Sequence, residues 1–198
     1  ADGVTAIFDD SDINKEYSKK LEDLDRVIDA SSPDKKVVNG YHVCEATVLS
    51  AKTKQPMSVY SKIYSCKSKD FRSQKSYTLE SIKAVEEVVG KNFTGIFDRG
   101  YDDNKIFAYM SKQEHSFVVR LQDKRTLLFK GKKRSVSEVA DSRKGKINMK
   151  VVFDDNEEHE LMLSYTKAVL PYNQKEYTLV IVYGLKEGTP MKLLTNIK

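Results

Sequence analysis

At 198 residues the chain is long enough for one large domain, or a domain carrying an insertion, around a sizeable buried core. Its 39% hydrophobic content argues against wholesale disorder, and no apolar run approaches the ~20 residues of a membrane-spanning helix. The net charge of +5 is unevenly spread: residues 1–100 balance 16 Lys and Arg against 16 Asp and Glu, while residues 119–150 hold eleven basic residues and three acids. That basic window fits either a polyanionic partner or a solvated face or loop.

In chain order, GVTAIFD (3–9) reads as a central strand, apolar on both faces and ending at Asp9. In the stretch that follows, Tyr17, Leu21, Leu24 and Ile28 are spaced like one helical face, which predicts a helix or broken helix. Asn39-Gly40 reads as a turn. YHVCEATVLSA (41–51) and MSVYSKIYSC (57–66) are rich in β-formers and are joined by a short polar loop, which predicts an antiparallel hairpin. Residues 74–89 place Thr78, Ile82, Val85 and Val89 at helical spacing, with Gly90 available as a left-handed cap. FTGIFD (93–98) is a strand that again ends on an aspartate. Asp102 or Asp103 starts a helix carrying Ile106, Phe107 and Met110, and SFVVRL (116–121) is the next strand. These alternations predict an α/β fold with a mixed sheet flanked by helices.

Beyond residue 121 the pattern changes. TLLFK is a short strand followed by the basic run KGKKR (130–134), and Ser135 with Glu138 forms a capping-box signature. INMKVVF (147–153), ELMLSYTKAVL (160–170) and YTLVIVY (177–183) follow with turns but no helix between them, so an antiparallel all-β insertion is expected. The expected organisation is a core over 1–121, the β insertion over 122–185, and a return segment over 186–198.

Cys44 and Cys66 are too few for a disulfide framework and fit no zinc spacing. Both are expected to be buried thiols, facing each other if the hairpin turns at Gln55. His42, His115 and His159 are scattered along the chain and suggest no ligand pair.

Asp9 and Asp98 each follow a hydrophobic strand. On parallel neighbouring strands they would emerge at one sheet edge, where sites gather in α/β sheets. Two close carboxylates need a cation between them, and Mg²⁺ suits such hard oxygen ligands. The competing reading makes Asp98 a helix cap and Asp9 a turn residue.

The segments FDDSDINK (8–15), NGYHV (39–43), GIFDRGYDDNKIF (95–107), FVVRL (117–121) and PMKLLTNI (190–197) occur in this order. Together they resemble the catalytic domain of bacterial insertion-sequence transposases of the DDE class, which place a β-strand insertion in a ribonuclease H-like core. The resemblance covers nearly the whole chain. It implies that Asp9 and Asp98 are the first two catalytic acids and ligate two Mg²⁺ or Mn²⁺ ions. It also implies double-stranded DNA as partner, a homodimer in the working complex, and a bacterial cytoplasmic location with no membrane association. Arg120, Lys130, Lys132, Lys133, Arg134, Arg143, Lys144 and Lys146 are candidate DNA contacts, Arg120 equally a structural ion-pair residue.

The resemblance further implies a third acid, a glutamate on a helix after the insertion. Glu157, Glu158 and Glu160 lie in a turn between expected strands and do not fit that pattern. The third carboxylate is therefore expected outside these 198 residues, as is a DNA-end-binding domain, and the 198 residues alone are expected to be nearly inactive in strand cleavage. Two other functions remain open: an inactive or repurposed DNA- or protein-binding remnant, and a nuclease on the same core.

Overall fold

The computed structural model describes residues 3–29, 32–153, 156–186 and 188–197. Among them the fold is mixed α/β, with twelve strands and three α-helices, and none of the helices is long and apolar enough to cross a membrane. The chain divides into two compact units, Ala1–Ile96 and Phe97–Lys198.

The first unit is built on one long strand. β3 (Val37–Ser50) pairs antiparallel with β1 (Val4–Asn14) over the whole length of β1. The opposite edge of β3 is shared by β2 (Asp25–Ile28), which pairs Val37–Gly40, and β4 (Pro56–Tyr64), which pairs the stretch from His42 onward. On the far side of β1 lies β5 (Phe93–Phe97). Alternation along β1 buries Ala6 and Phe8 and leaves Ile7 and Asp9 exposed. α1 (Gln74–Val89) spans the predicted range, capped by Ser73 at its start and by Gly90 at φ 76° at its end. Its buried residues include Tyr77, Ile82 and Val85, and Tyr77 packs with Tyr64 and Cys44.

Four expectations for this unit are corrected. β1 continues to Asn14, so Asp9 lies within a strand rather than at its end. The segment after it is not a helix: Tyr17 is 92% exposed, and Leu21 and Ile28 are exposed too, so the apolar spacing had no surface to bury against. Its backbone carbonyls are taken by side chains instead, Ser18 by Asn39, Glu22 by Tyr41 and Leu24 by Lys67. Asn39-Gly40 is strand, not turn. Gly40 is squeezed between β1 and β2, where a Cβ would sit 2.3 Å from the Ile13 carbonyl oxygen and 2.4 Å from Val27. Finally, the hairpin closes earlier than Gln55 and carries a bulge at Ala46/Thr47, so Cys44 faces Lys62 and not Cys66. Both thiols are free; Cys44 is buried, but Cys66 is exposed.

The second unit begins with a 3₁₀ turn (Arg99–Tyr101), then α2 (Asn104–Lys112) and β6 (Ser116–Arg120). β7 (Thr126–Phe129) and β8 (Lys132–Ser135) form a tight hairpin, followed by α3 (Val136–Asp141). Lys130 and Gly131 both take positive φ at the hairpin tip, which matches the twist of the strands they join. The Ser135–Glu138 capping box forms as expected. β9 (Ile147–Val152), β10 (Glu158–Val169), β11 (Glu176–Tyr183) and β12 (Met191–Thr195) are consecutive antiparallel partners. β12 then pairs antiparallel with β6, so within this unit the strand order is β6-β12-β11-β10-β7-β8, with β9 on the flank of β10. Phe107 stacks on Phe117, and Tyr177 packs tilted against Phe117, in its core beside Leu179, Ile181 and Leu194.

Candidate catalytic carboxylates and basic surface

Asp98 follows β5 directly and opens the 3₁₀ turn in an extended conformation, with no side-chain capping bond. Its carboxylate is 60% exposed, and Arg120 Nη1 on β6 stands 3.7 Å away. Asp98, Arg99, Gly100, Gln122, Asp123 and Lys124 line an open cleft of about 430 Å³.

The neighbouring acids have structural duties. Asp103 caps α2 by accepting the Lys105 N–H at 2.7 Å. The Asp102 side chain is 1% exposed; one oxygen binds Arg125, while the other accepts the Gln122 N–H at 2.8 Å. Arg125 also donates to the Asp102 carbonyl at 2.8 Å and to Asn104 at 2.9 Å. This bracket joins the turn after Asp98 to the loop after β6. Asp102 reads as a cap in the sequence; its buried pairing with Arg125, more than twenty positions on, leaves no local signal.

Asp9 belongs to the first unit. It sits on β1 opposite Glu45 of β3, on the face away from Phe8, and is exposed. Asp10 faces the other way, part-buried, and accepts a hydrogen bond from Gln74 at 2.9 Å. Burial first, then the nearby Asp10 carboxylate, pushes the Cys44 thiol up to about 12. Asp9 and Asp98 are thus each placed within their own unit.

Of the basic candidates, Lys130, Lys132, Arg134 and Arg143 line one cleft of about 370 Å³ with Phe129 and Ser142. Lys132 and Arg134 share a strand face, and Lys133 points to the other. Arg143 is partly committed to structure, donating to Ser164 Oγ at 2.9 Å and to the Tyr165 carbonyl at 2.8 Å. Lys144 and Lys146 are exposed outside that cleft. Arg120 is beside Asp98 and does not line that cleft.

No protein-family model and no curated protein matches the chain. Among solved structures it is similar to a piggyBac transposase, determined by cryo-electron microscopy in a synaptic complex with hairpin DNA. The TM-score is 0.54 at 16% identity, and the match covers 100% of this chain and 34% of that one. The fold is transposase-like. The chain spans about a third of the length of that transposase.

Proposed function

We propose that the chain is the catalytic-domain portion of a bacterial insertion-sequence transposase of the DDE class, which cuts and joins DNA by divalent-metal-dependent phosphoryl transfer. In this reading residues 1–121 supply a ribonuclease H-like core, 122–185 the β insertion and 186–198 the return to the core. The protein acts in the bacterial cytoplasm on double-stranded DNA, as a homodimer. The observation that carries the reading is Asp98: an exposed carboxylate at the exit of a buried strand that caps nothing, in a chain with a transposase-like fold.

Asp9 and Asp98 would hold the metal. Both are exposed hard-oxygen donors, the set that suits Mg²⁺ or Mn²⁺. Bound there, such ions supply an activated attacking oxygen and stabilise the leaving oxygen. Arg120 offsets the charge of Asp98 and would contact a phosphate beside it. The Asp102–Arg125 bracket fixes the turn from which Asp98 projects. Lys130, Lys132 and Arg134 would hold the DNA backbone, a sequence-independent contact.

The test is plasmid nicking by the full-length gene product in Mg²⁺, compared with Asp9→Ala and Asp98→Ala. Each substitution is expected to abolish nicking and leave the fold intact. Nicking that survives either one removes that aspartate from the site. DNA binding without nicking under any metal would favour a repurposed remnant.

A further inference from the structure

Along the outer edge of β3, β2 ends its pairing at Gly40 and β4 begins at His42. Where these two short strands abut, three donors converge. Asp25 opens β2, His42 lies on β3 opposite Tyr64, and Cys66 follows the end of β4. One ligand-capable atom from each lies within 4.8 Å of the other two.

The setting of His42 gives this cluster its meaning. Its Nδ1 is 2.7 Å from Asp12 Oδ1. A carboxylate only accepts, so Nδ1 carries the proton. In a neutral imidazole, Nε2 then presents a lone pair, and it faces Asp25 Oδ2 at 3.7 Å. Nε2 therefore points its lone pair into the space between Asp25 and Cys66, where a metal ion would be ligated. A carboxylate fixing the outer nitrogen of a histidine is the usual support of a metal-bound imidazole.

Asp25 keeps room for a metal. Its Oδ1 accepts the Arg26 N–H at 2.8 Å, and its Oδ2 accepts the Cys66 N–H at 2.7 Å and the Ser65 hydroxyl at 3.4 Å. The Cys66 thiol is the remaining donor to this carboxylate, so a metal that displaces the thiol proton takes the acceptor site the thiol gives up. Cys66 is exposed and His42 half-buried, so the cluster opens to solvent.

We propose that Asp25, His42 and Cys66 bind one Zn²⁺-class transition-metal ion, with water in the fourth position and Asp12 orienting the imidazole. Thiolate and imidazole select such an ion over Mg²⁺. On binding, a sulfur–metal bond forms, the Cys66 thiol proton passes to solvent, and no electron is transferred. The ion clips the start of β2 and the exit of β4 onto β3. It is distinct from the metal-dependent chemistry assigned to Asp9 and Asp98.

The test is titration of the metal-free full chain with Co²⁺, followed by competition with Zn²⁺. The expected result is one Co²⁺ per chain with a thiolate-to-metal charge-transfer band, displaced by Zn²⁺ and untouched by excess Mg²⁺. Cys66→Ser abolishes the band, whereas Cys44→Ser and Asp98→Ala retain it. Asp12→Asn weakens Zn²⁺ binding about 10- to 100-fold while keeping the band, the effect of losing an outer-shell partner. Circular dichroism of each variant confirms folding, and Cys66 is exposed enough for its serine variant to fold. A wild-type chain without a thiolate band, or a band that persists in Cys66→Ser, overturns the proposal.

Discussion

Arg125 grips Asp102 through both side chain and main chain: its Nε donates to Oδ1 at 2.7 Å and its Nη2 to the carbonyl oxygen at 2.8 Å. The pair is largely removed from water. Breaking it strands a buried carboxylate, so Arg125→Ala is expected to cost about 3–5 kcal/mol, measured as a lower midpoint in urea unfolding. Arg125→Lys keeps the charge but not the planar fork, and is expected to recover only part of the loss. Equal stability of wild type and Arg125→Ala would show that the bracket contributes nothing.

The cleft formed by the β7–β8 hairpin and the residues after α3 predicts where salt dependence resides. Replacing Lys130, Lys132 and Arg134 with glutamine is expected to weaken duplex DNA binding across sequences. The slope of log affinity against log salt should flatten by about 0.9 for each phosphate that is no longer neutralised. Lys144→Gln, outside the cleft, serves as the comparison and is expected to change little. If Lys144→Gln matches the triple variant, the cleft is not the DNA surface. Fluorescence anisotropy over a salt series measures both.

The two thiols should differ sharply towards a disulfide reagent. Burial and the adjacent Asp10 carboxylate hold Cys44 at about 12, so at mildly alkaline pH it is protonated as well as inaccessible. Cys66 is also raised, first by burial and then by its bond to Asp25, but it is exposed. One thiol per native chain is expected to react, and two after unfolding. Mass mapping of the modified peptide should find Cys66; early labelling of Cys44 would contradict the packing around Tyr64 and Tyr77.

Acid stability should depend on Asp123. Lys192, itself buried, hydrogen-bonds Asp123 at 2.6 Å and holds its carboxyl below the usual aspartate value. A lowered folded-state pKa stabilises the protein above the unfolded value of about 3.9, and that stability is lost as pH falls through the folded value. Asp123 is largely exposed, so solvent screening limits the effect to about 1 kcal/mol. Asp123→Asn is expected to lower stability near neutral pH and to flatten its decline in acid. Parallel pH profiles for the two proteins would rule this contribution out.

Elements with strong local signals were legible in the sequence. α1 follows from its apolar spacing with Gly90 behind it, and the α3 capping box from Ser135 and Glu138. The long strands after residue 146 follow from their β-branched and aromatic content. Segments decided by distant partners were not. Tyr17, Leu21, Leu24 and Ile28 have helical spacing, but hydrogen bonds from Asn39, Tyr41 and Lys67 hold that backbone in place. Gly40 looks like a turn residue because the chain alone does not show the two strands pressing on it.

The candidate site was legible to the same extent. Asp98 stands at a strand exit as its sequence context predicts, whereas Asp9 lies within a strand that runs five residues further. The Asp25–His42–Cys66 cluster is assembled by β2 and β4 meeting on one edge of β3. No spacing pattern encodes that meeting, and the bulge at Ala46/Thr47 sets the register that makes it.

β12 lies between β6 and β11, yet it is later in the chain than both. The second unit therefore receives an interior strand after both of its neighbours. While the chain is being synthesised, β6 and β11 each expose an unpaired edge until residues 191–195 arrive, and Thr195 then locks onto the Phe117 carbonyl across that gap. Until then the nascent protein carries two open templates for strand addition, so its greatest risk of aggregation falls just before completion of this sheet.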